Sequence, residues 1–129
     1  MIHNVYVFDE NGAPIAEVKV GSIEADSTLM AGFLSAMQSF MKKIAQGEIE
    51  ELNTNEYTFH IRKVESVYVA LVSDKRDRNA RSKLNLVSEI IANSKGRYDD
   101  EVMKMRIRYA VTHRESVADR ARTWGKEVL

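Results

Sequence analysis

The chain has 129 residues, 19 basic and 19 acidic side chains, and no cysteine. This length fits one domain with a sizeable core, and the lack of cysteine excludes disulfides and thiolate-based metal or redox sites. No run reaches the ~20 apolar residues of a membrane span, and the first residues do not form the basic head and apolar block of a signal peptide. We therefore expect one cytoplasmic domain over residues 1–129.

The charges are distributed unevenly along the chain. Residues 1–58 carry three bases and nine acids, and the rest of the chain is basic. This pattern indicates opposed surface patches that favour self-association or a charged partner. Two independently solvated faces explain it equally simply.

The chain begins with a predicted β-hairpin. Residues 2–8 carry apolar side chains on both faces, which predicts a strand covered from both sides; the two sets are Ile2, Tyr6 and Phe8 against Val5 and Val7. Asn11-Gly12 favours the positive φ of a tight hairpin turn. The return strand is expected over residues 13–20, and its Pro14 favours an edge of the sheet.

A helix follows, capped by Asp26 or Ser27 and ended by Gly47. The apolar residues that recur at helical spacing are predicted to pack on the core: Met30, Phe33, Leu34, Met37, Phe40, Met41 and Ile44. The other side of the helix carries small side chains, which allow loops of the same chain or a partner to pack closely against it. These residues are Ala31, Gly32, Ser35, Ala36 and Ser39.

Three more strands are predicted over residues 48–53, 56–64 and 66–74. The first of them is mostly acidic, which suits an edge, whereas the last is apolar on both faces. The two most apolar strands of the chain, the first and the fifth, are therefore expected to be central neighbours. This gives the strand order 2-1-5-4-3.

Two helices are predicted to complete the chain. One runs from Asp77 or Asn79 to about Ser94, packed by Leu84, Val87, Ile90 and Ile91. The other begins with Asp99, Asp100 and Glu101, whose negative charges suit the amino end of a helix. A mostly apolar stripe with alternating spacings of four and three follows along it: Met103, Ile107, Ala110, Arg114, Val117, Ala121, Trp124 and Val128. As one helix it would span ~45 Å, so it either breaks near residues 112–116 or projects at about 115–129, the interpretation favoured here.

The predicted fold class is an α/β (α+β) sandwich, a five-stranded antiparallel sheet with one helix on one face and two on the other. This element order resembles the longin (SNARE-like, profilin-like) arrangement. HNVYVFDENG is similar to the opening of small TRAPP subunits, adaptor-complex small chains and longin-type SNAREs. YTFHIRKVESVYVALVSDK is similar to the fourth and fifth strands of that class. The roadblock domain, a close relative, has a permuted order that starts with a helix, from which this chain departs.

The resemblance implies a non-enzymatic interaction module without cofactors. Longin-like domains assemble side by side, serve vesicle traffic, and bind small GTPases or form part of their exchange factors. We therefore expect a homodimer, or a heteromer with another longin or roadblock protein, linked to a small GTPase. A stand-alone protein of prokaryotic or archaeal origin fits this resemblance best.

The expected partner surface combines the small face of the first helix, an exposed edge strand (48–53 or 13–20) and the carboxyl-terminal helix. Trp124 is included because an indole near a terminus often docks onto its own domain or a partner. The candidate residues are Gly32, Ser35, Ala36, Ser39, Glu48, Glu50, Leu52 and Trp124.

A basic patch supplies the alternative, a binder of nucleic acid or of an anionic membrane surface. It consists of Lys75, Arg76, Arg78 and Arg81. No stacking aromatic strand accompanies it, so nucleic acid is not the expected partner. His3, His60 and His113 lack metal-site spacing, and no GxSxG, Walker or GxGxxG motif occurs, so neither a metal site nor a catalytic residue is predicted.

Overall fold

The computed structural model describes residues 1–21, 27–45 and 47–113. It contains five strands and three helices in these parts of the chain: β1 (Ile2–Asp9), β2 (Pro14–Lys19), α1 (Ser27–Ala45), β3 (Glu51–Asn53), β4 (Tyr57–Val64), β5 (Val67–Asp74), α2 (Ala80–Asn93) and α3 (Glu101–Thr112). No helix within these ranges is long and apolar enough to cross a membrane.

The strands form one antiparallel sheet in the order β2-β1-β5-β4-β3, which confirms the predicted order. β1 and β5 are central because all but the last residue of each strand are buried. Each buried Val or Leu side chain contributes ~1.5–3 kcal/mol relative to an exposed one. The pair therefore has to be covered on both faces.

The helices divide between the two faces as predicted. Tyr6 and Phe8 of β1 pack with Leu34 of α1 on one face. On the other face, Val5 and Val7 join a cluster that includes Leu84 and Val87 of α2 and Met103 and Ile107 of α3.

Ile2 lies on the face opposite to the predicted one. It belongs to the cluster of Val5 and Val7 rather than to that of Tyr6 and Phe8. The β1–β5 register shifts between Ile2 and Asn4, and one extra residue in a strand reverses the alternation beyond it.

The hairpin turn also differs from a two-residue turn. Asp9 N–H donates to Ala13 O at 3.0 Å, Gly12 N–H donates to Asp9 O at 3.1 Å, and of the loop residues only Gly12 has positive φ, at 85°. This is a type I turn followed by a left-handed residue. The Asp9 carboxylate accepts hydrogen bonds from the N–H groups of Asn11 and Ala13, which favours the longer loop.

α3 ends within the region where a break was one of the two predictions. Asp100 caps it by accepting a hydrogen bond from Val102 N–H. The helix ends at Thr112 because the backbone of His113 is extended, so α3 is ~18 Å long rather than ~45 Å. The rest of the predicted stripe, Arg114 to Val128, lies outside the described residues, and projection of 115–129 stays a prediction.

Gly12 supplies a stability prediction. An L residue at its positive φ costs ~1–2 kcal/mol, and an added Cβ would lie 3.0 Å from Ser35 Cβ. Gly12→Ala should therefore lower the free energy of unfolding, measured by urea denaturation, by roughly 1–2 kcal/mol. Gly32→Ala, measured in dilute protein where the chain is monomeric, is the control, since a Cβ there meets nothing within 4 Å of its own chain and should raise stability by roughly 0.5–1 kcal/mol. Equal effects of the two substitutions would contradict the turn assignment.

His60 supplies a pH prediction. Burial lowers the pKa of His60 below the ordinary value of 6.5. Two weaker effects oppose each other: the charge of Glu51 raises this pKa, and that of Arg81 lowers it. The unfolded chain therefore binds the proton first as the pH falls, and folding stability decreases below about pH 6.5. His60→Gln should flatten this decrease in urea titrations between about pH 7.5 and 5.5. An unchanged slope would show that other groups cause it.

Candidate functional site

α1 carries an apolar stripe on the side that faces away from the sheet. Leu29, Phe33 and Phe40 are 74%, 53% and 62% exposed, and spacings of four and seven place them on one helical face. Phe33 and Phe40 were predicted to lie in the core, and this prediction is wrong. Among the α1 side chains that the structure describes, the buried ones are Ala31, Leu34 and Gln38; Met41 and Ile44, also predicted to pack on the core, are not among the described side chains.

Small residues explain which side of α1 faces the sheet. Ala31 is buried, and the Ser35 hydroxyl donates to Glu10 O at 3.2 Å in the β1–β2 loop. Small side chains allow the sheet and this loop to approach α1 closely, so the large rings turn outward. A loop of the same chain thus covers Ser35, whereas three other candidates stay exposed beside the stripe: Gly32, Ala36 and Ser39.

β3 is an edge strand whose only partner in the described chain is β4. Ile61 N–H donates to Glu50 O at 2.9 Å, and Thr54 N–H donates to Tyr57 O at 2.8 Å. Antiparallel bonding alternates along a strand, so Glu51 and Asn53 direct their backbone N–H and C=O groups to the open edge. The Leu52 side chain is half-buried.

Gln38 fixes the edge strand against α1. Its Nε2 donates to Ile49 O at 2.9 Å, and its Oε1 accepts from Ile49 N–H at 2.7 Å. The side chain is buried, so loss of this pair would leave buried backbone groups unsatisfied. These bonds also explain why β3 starts at Glu51 rather than at the predicted Glu48: Ile49 bonds to α1 instead of the ladder.

Glu48 is held within the chain. Lys42 Nζ lies 3.3 Å from Glu48 Oε1 and donates to Tyr68 Oη at 3.0 Å; the Tyr68 hydroxyl donates to Glu48 Oε1 at 3.1 Å. Hydrogen bonds to Tyr68 and Glu48 raise the pKa of Lys42. The cluster connects the last turn of α1 to β5, so the Glu48 carboxylate is bonded within its own chain beside the candidate surface.

The opposite edge of the sheet is less accessible. β2 begins with Pro14, which has no N–H to donate. At its other end, Arg108 Nη1 of α3 donates to Lys19 O at 2.8 Å. Of the two predicted edges, β2 is therefore hindered at both of its ends.

The basic patch is exposed at Lys75, Arg76, Arg78 and Arg81. Asp74 and Asp77 lie between these residues in sequence. A hydrogen bond from His3 lowers the pKa of Asp74; for Asp77, burial acts to raise the pKa, but hydrogen-bond donors around the carboxyl outweigh it and the pKa is lowered. Arg81 also lines a polar cleft with His60. Trp124, the remaining candidate, lies outside the described residues.

Sequence reasoning missed a second exposed apolar surface. Val102, Met105 and Tyr109 of α3 are exposed, and their spacing of three and four forms a stripe beside the buried one of Met103 and Ile107. Counting both stripes along the same helix would have revealed it.

Comparison with protein-family models finds no match, and no curated protein matches. Solved structures that are similar to this chain include the following three. Myxococcus xanthus MglB has a TM-score of 0.56 at 20% identity, covering 73% of this chain and 83% of that one. A Roadblock/LC7 domain from Streptomyces avermitilis has a TM-score of 0.58 at 8% identity, covering 73% and 85%. The gliding protein MglB from Thermus thermophilus has a TM-score of 0.55 at 10% identity, covering 84% and 77%.

At these identities the likeness concerns the fold. The expected similarity to TRAPP subunits and adaptor small chains is not shown by these structures, and neither is an archaeal origin. The roadblock domain, which was set apart by its element order, turns out to be similar in three dimensions. This chain has the longin-like α+β fold of Roadblock/LC7 and MglB structures.

Proposed function

We propose that this chain is a non-enzymatic interaction module that self-associates side by side through α1 and β3, as a homodimer or with a related longin or roadblock chain. One observation carries the proposal: two exposed phenylalanines, Phe33 and Phe40, lie on the helix that is clamped beside an open strand edge.

A two-fold axis satisfies both features at once. In a symmetric dimer the same patch occurs on both sides of the interface, so α1 packs against α1 and β3 pairs with β3. Backbone hydrogen bonds from Glu51 and Asn53 would then continue the sheet across two chains. Gly32, Ala36 and Ser39 suit this arrangement because small residues let two helices approach closely.

The exposed rings supply part of the area that such an interface needs. Phe33 and Phe40 are 53% and 62% exposed, so four rings from two chains, each of ~150–250 Å², supply roughly 350–570 Å². Stable interfaces bury ~1,200–2,000 Å² in total. The rest of α1, with its neighbouring small residues, and the paired edge strands would have to supply the larger share.

We further propose that the assembled pair is a cytoplasmic platform for a small GTPase, in a regulatory or traffic-like assembly. The support is the fold shared with MglB and Roadblock/LC7 structures. Binding of nucleic acid or of an anionic membrane is not favoured, because the net charge is zero and two carboxylates, Asp74 and Asp77, interrupt the basic patch.

The self-association is tested by placing a negative charge in the apolar stripe of α1. Phe33→Asp and Phe40→Asp should each raise the dissociation constant in sedimentation velocity at least about 30-fold, the ~2 kcal/mol of an interface hot spot. Met105→Asp is the matched control, since Met105 is 70% exposed and lies on the opposite layer. A monomeric wild-type chain, or dissociation by Met105→Asp alone, would refute the proposed interface.

The platform is tested with small GTPases of the same organism, loaded with GDP or with a non-hydrolysable GTP analogue. Calorimetric titration should show nucleotide-dependent binding to the wild-type chain and weaker binding to Phe33→Asp, because a composite surface needs two copies. Absence of binding in both nucleotide states would refute the GTPase link and leave the self-association standing.

A further inference from the structure

A long apolar groove lies between α2 and α3, on the layer opposite to α1. It encloses about 590 Å³. Its floor and walls include Leu86 and Ile90 of α2 and Val102, Met105 and Tyr109 of α3. Three of these side chains are among the most exposed apolar groups of the described chain, at 55%, 70% and 62% for Val102, Met105 and Tyr109.

The groove has a defined direction. α2 and α3 run antiparallel along it, since Lys83 near the start of α2 donates to Val111 O near the end of α3 at 3.0 Å. Asn79 and His113 line one end, and Ile90 and Val102 line the other. From Val102 to His113 the groove follows α3 for ~17 Å.

The chain itself supplies a segment at the mouth of this groove. His113 is the last described residue, its extended backbone ends α3, and its ring stacks on Tyr109 with centroids 3.6 Å apart. Sixteen further residues, 114–129, continue from this point. The segment therefore starts inside the groove's own lining.

The sequence of that segment is amphipathic. Val117, Ala121, Trp124 and Val128 recur at spacings of four and three, a sequence pattern typical of one face of a helix, while the other positions are mostly charged. A helix that contains all four residues would need twelve positions, 117–128, and cover ~18 Å, which leaves residues 114–116 to reverse the direction of the chain. Such a return would bring Trp124 into the groove beside Met105 and Tyr109.

We propose that residues 114–129 fold back and dock in the α2–α3 groove of the same chain, with the Trp124 indole as the anchor. The short tether makes the intramolecular event more favourable than binding of a separate chain, because the effective concentration of a segment on a short linker is in the millimolar range. Docking in cis also leaves the α1 stripe free. This inference does not depend on the proposed self-association.

Trp124 is the single tryptophan of the chain, so its fluorescence reports on the docking directly. In the full-length protein, emission should be blue-shifted relative to N-acetyltryptophanamide, and acrylamide quenching should be several-fold weaker. Met105→Asp should move the emission to the position of the free indole and raise quenching several-fold. Met105→Leu, which keeps the apolar contact, should retain the wild-type spectrum.

Phe33→Asp separates docking in cis from docking in a second copy, since it changes an exposed apolar residue on the other layer. The blue shift should persist in this variant and on dilution. Wild-type emission like that of the free indole would refute the proposal, as would a blue shift unaffected by Met105→Asp, which would place the indole elsewhere. Loss of the shift in Phe33→Asp or on dilution would overturn docking in cis and assign the groove to a second chain. Circular dichroism confirms that each variant is folded.

Discussion

The burial of β1 and β5 on both faces is the constraint on which this structure depends. Every residue from Ile2 to Phe8 and from Val67 to Ser73 is buried, so neither face of the central pair can meet water without a large cost in hydrophobic free energy. One layer must come from α1 and the other from α2 and α3. The more polar strands, β2 and β3, are thereby left at the edges.

The candidate surface follows from this arrangement. α1 has to cover the sheet closely, and Ala31 and Ser35 allow this by presenting little volume to the strands and the hairpin loop. The same rotation sends Phe33 and Phe40 outward. Gln38 then holds the start of the edge strand against the helix through its bonds to the backbone of Ile49, two residues before that strand. The apolar stripe and the open edge are therefore joined by these two hydrogen bonds.

Polarity along the chain was sufficient to predict the layers and the strand order. Doubly apolar strands, such as β5, can only be central, and acidic or proline-bearing strands suit the edges. The facing of α1 could not be predicted in this way, because that helix is apolar on two sides and periodicity does not say which side the sheet takes. Only the close approach at Ala31 and Ser35, a matter of volume in three dimensions, decides it. The other incorrect predictions have local causes of the same kind. A bulge beside Asn4 places Ile2 on the opposite face, and Gln38 shortens β3 by bonding the backbone groups of Ile49.

The central claim, that α1 and the open edge of β3 form a self-association surface, is tested most directly by residue-resolved amide hydrogen exchange as a function of protein concentration. The N–H groups of Glu51 and Asn53 face the open edge, so their exchange should slow as the chain associates. Leu52 N–H faces β4 and should be protected at all concentrations. Association that leaves Glu51 and Asn53 exchanging as fast as in the dilute chain would contradict the account.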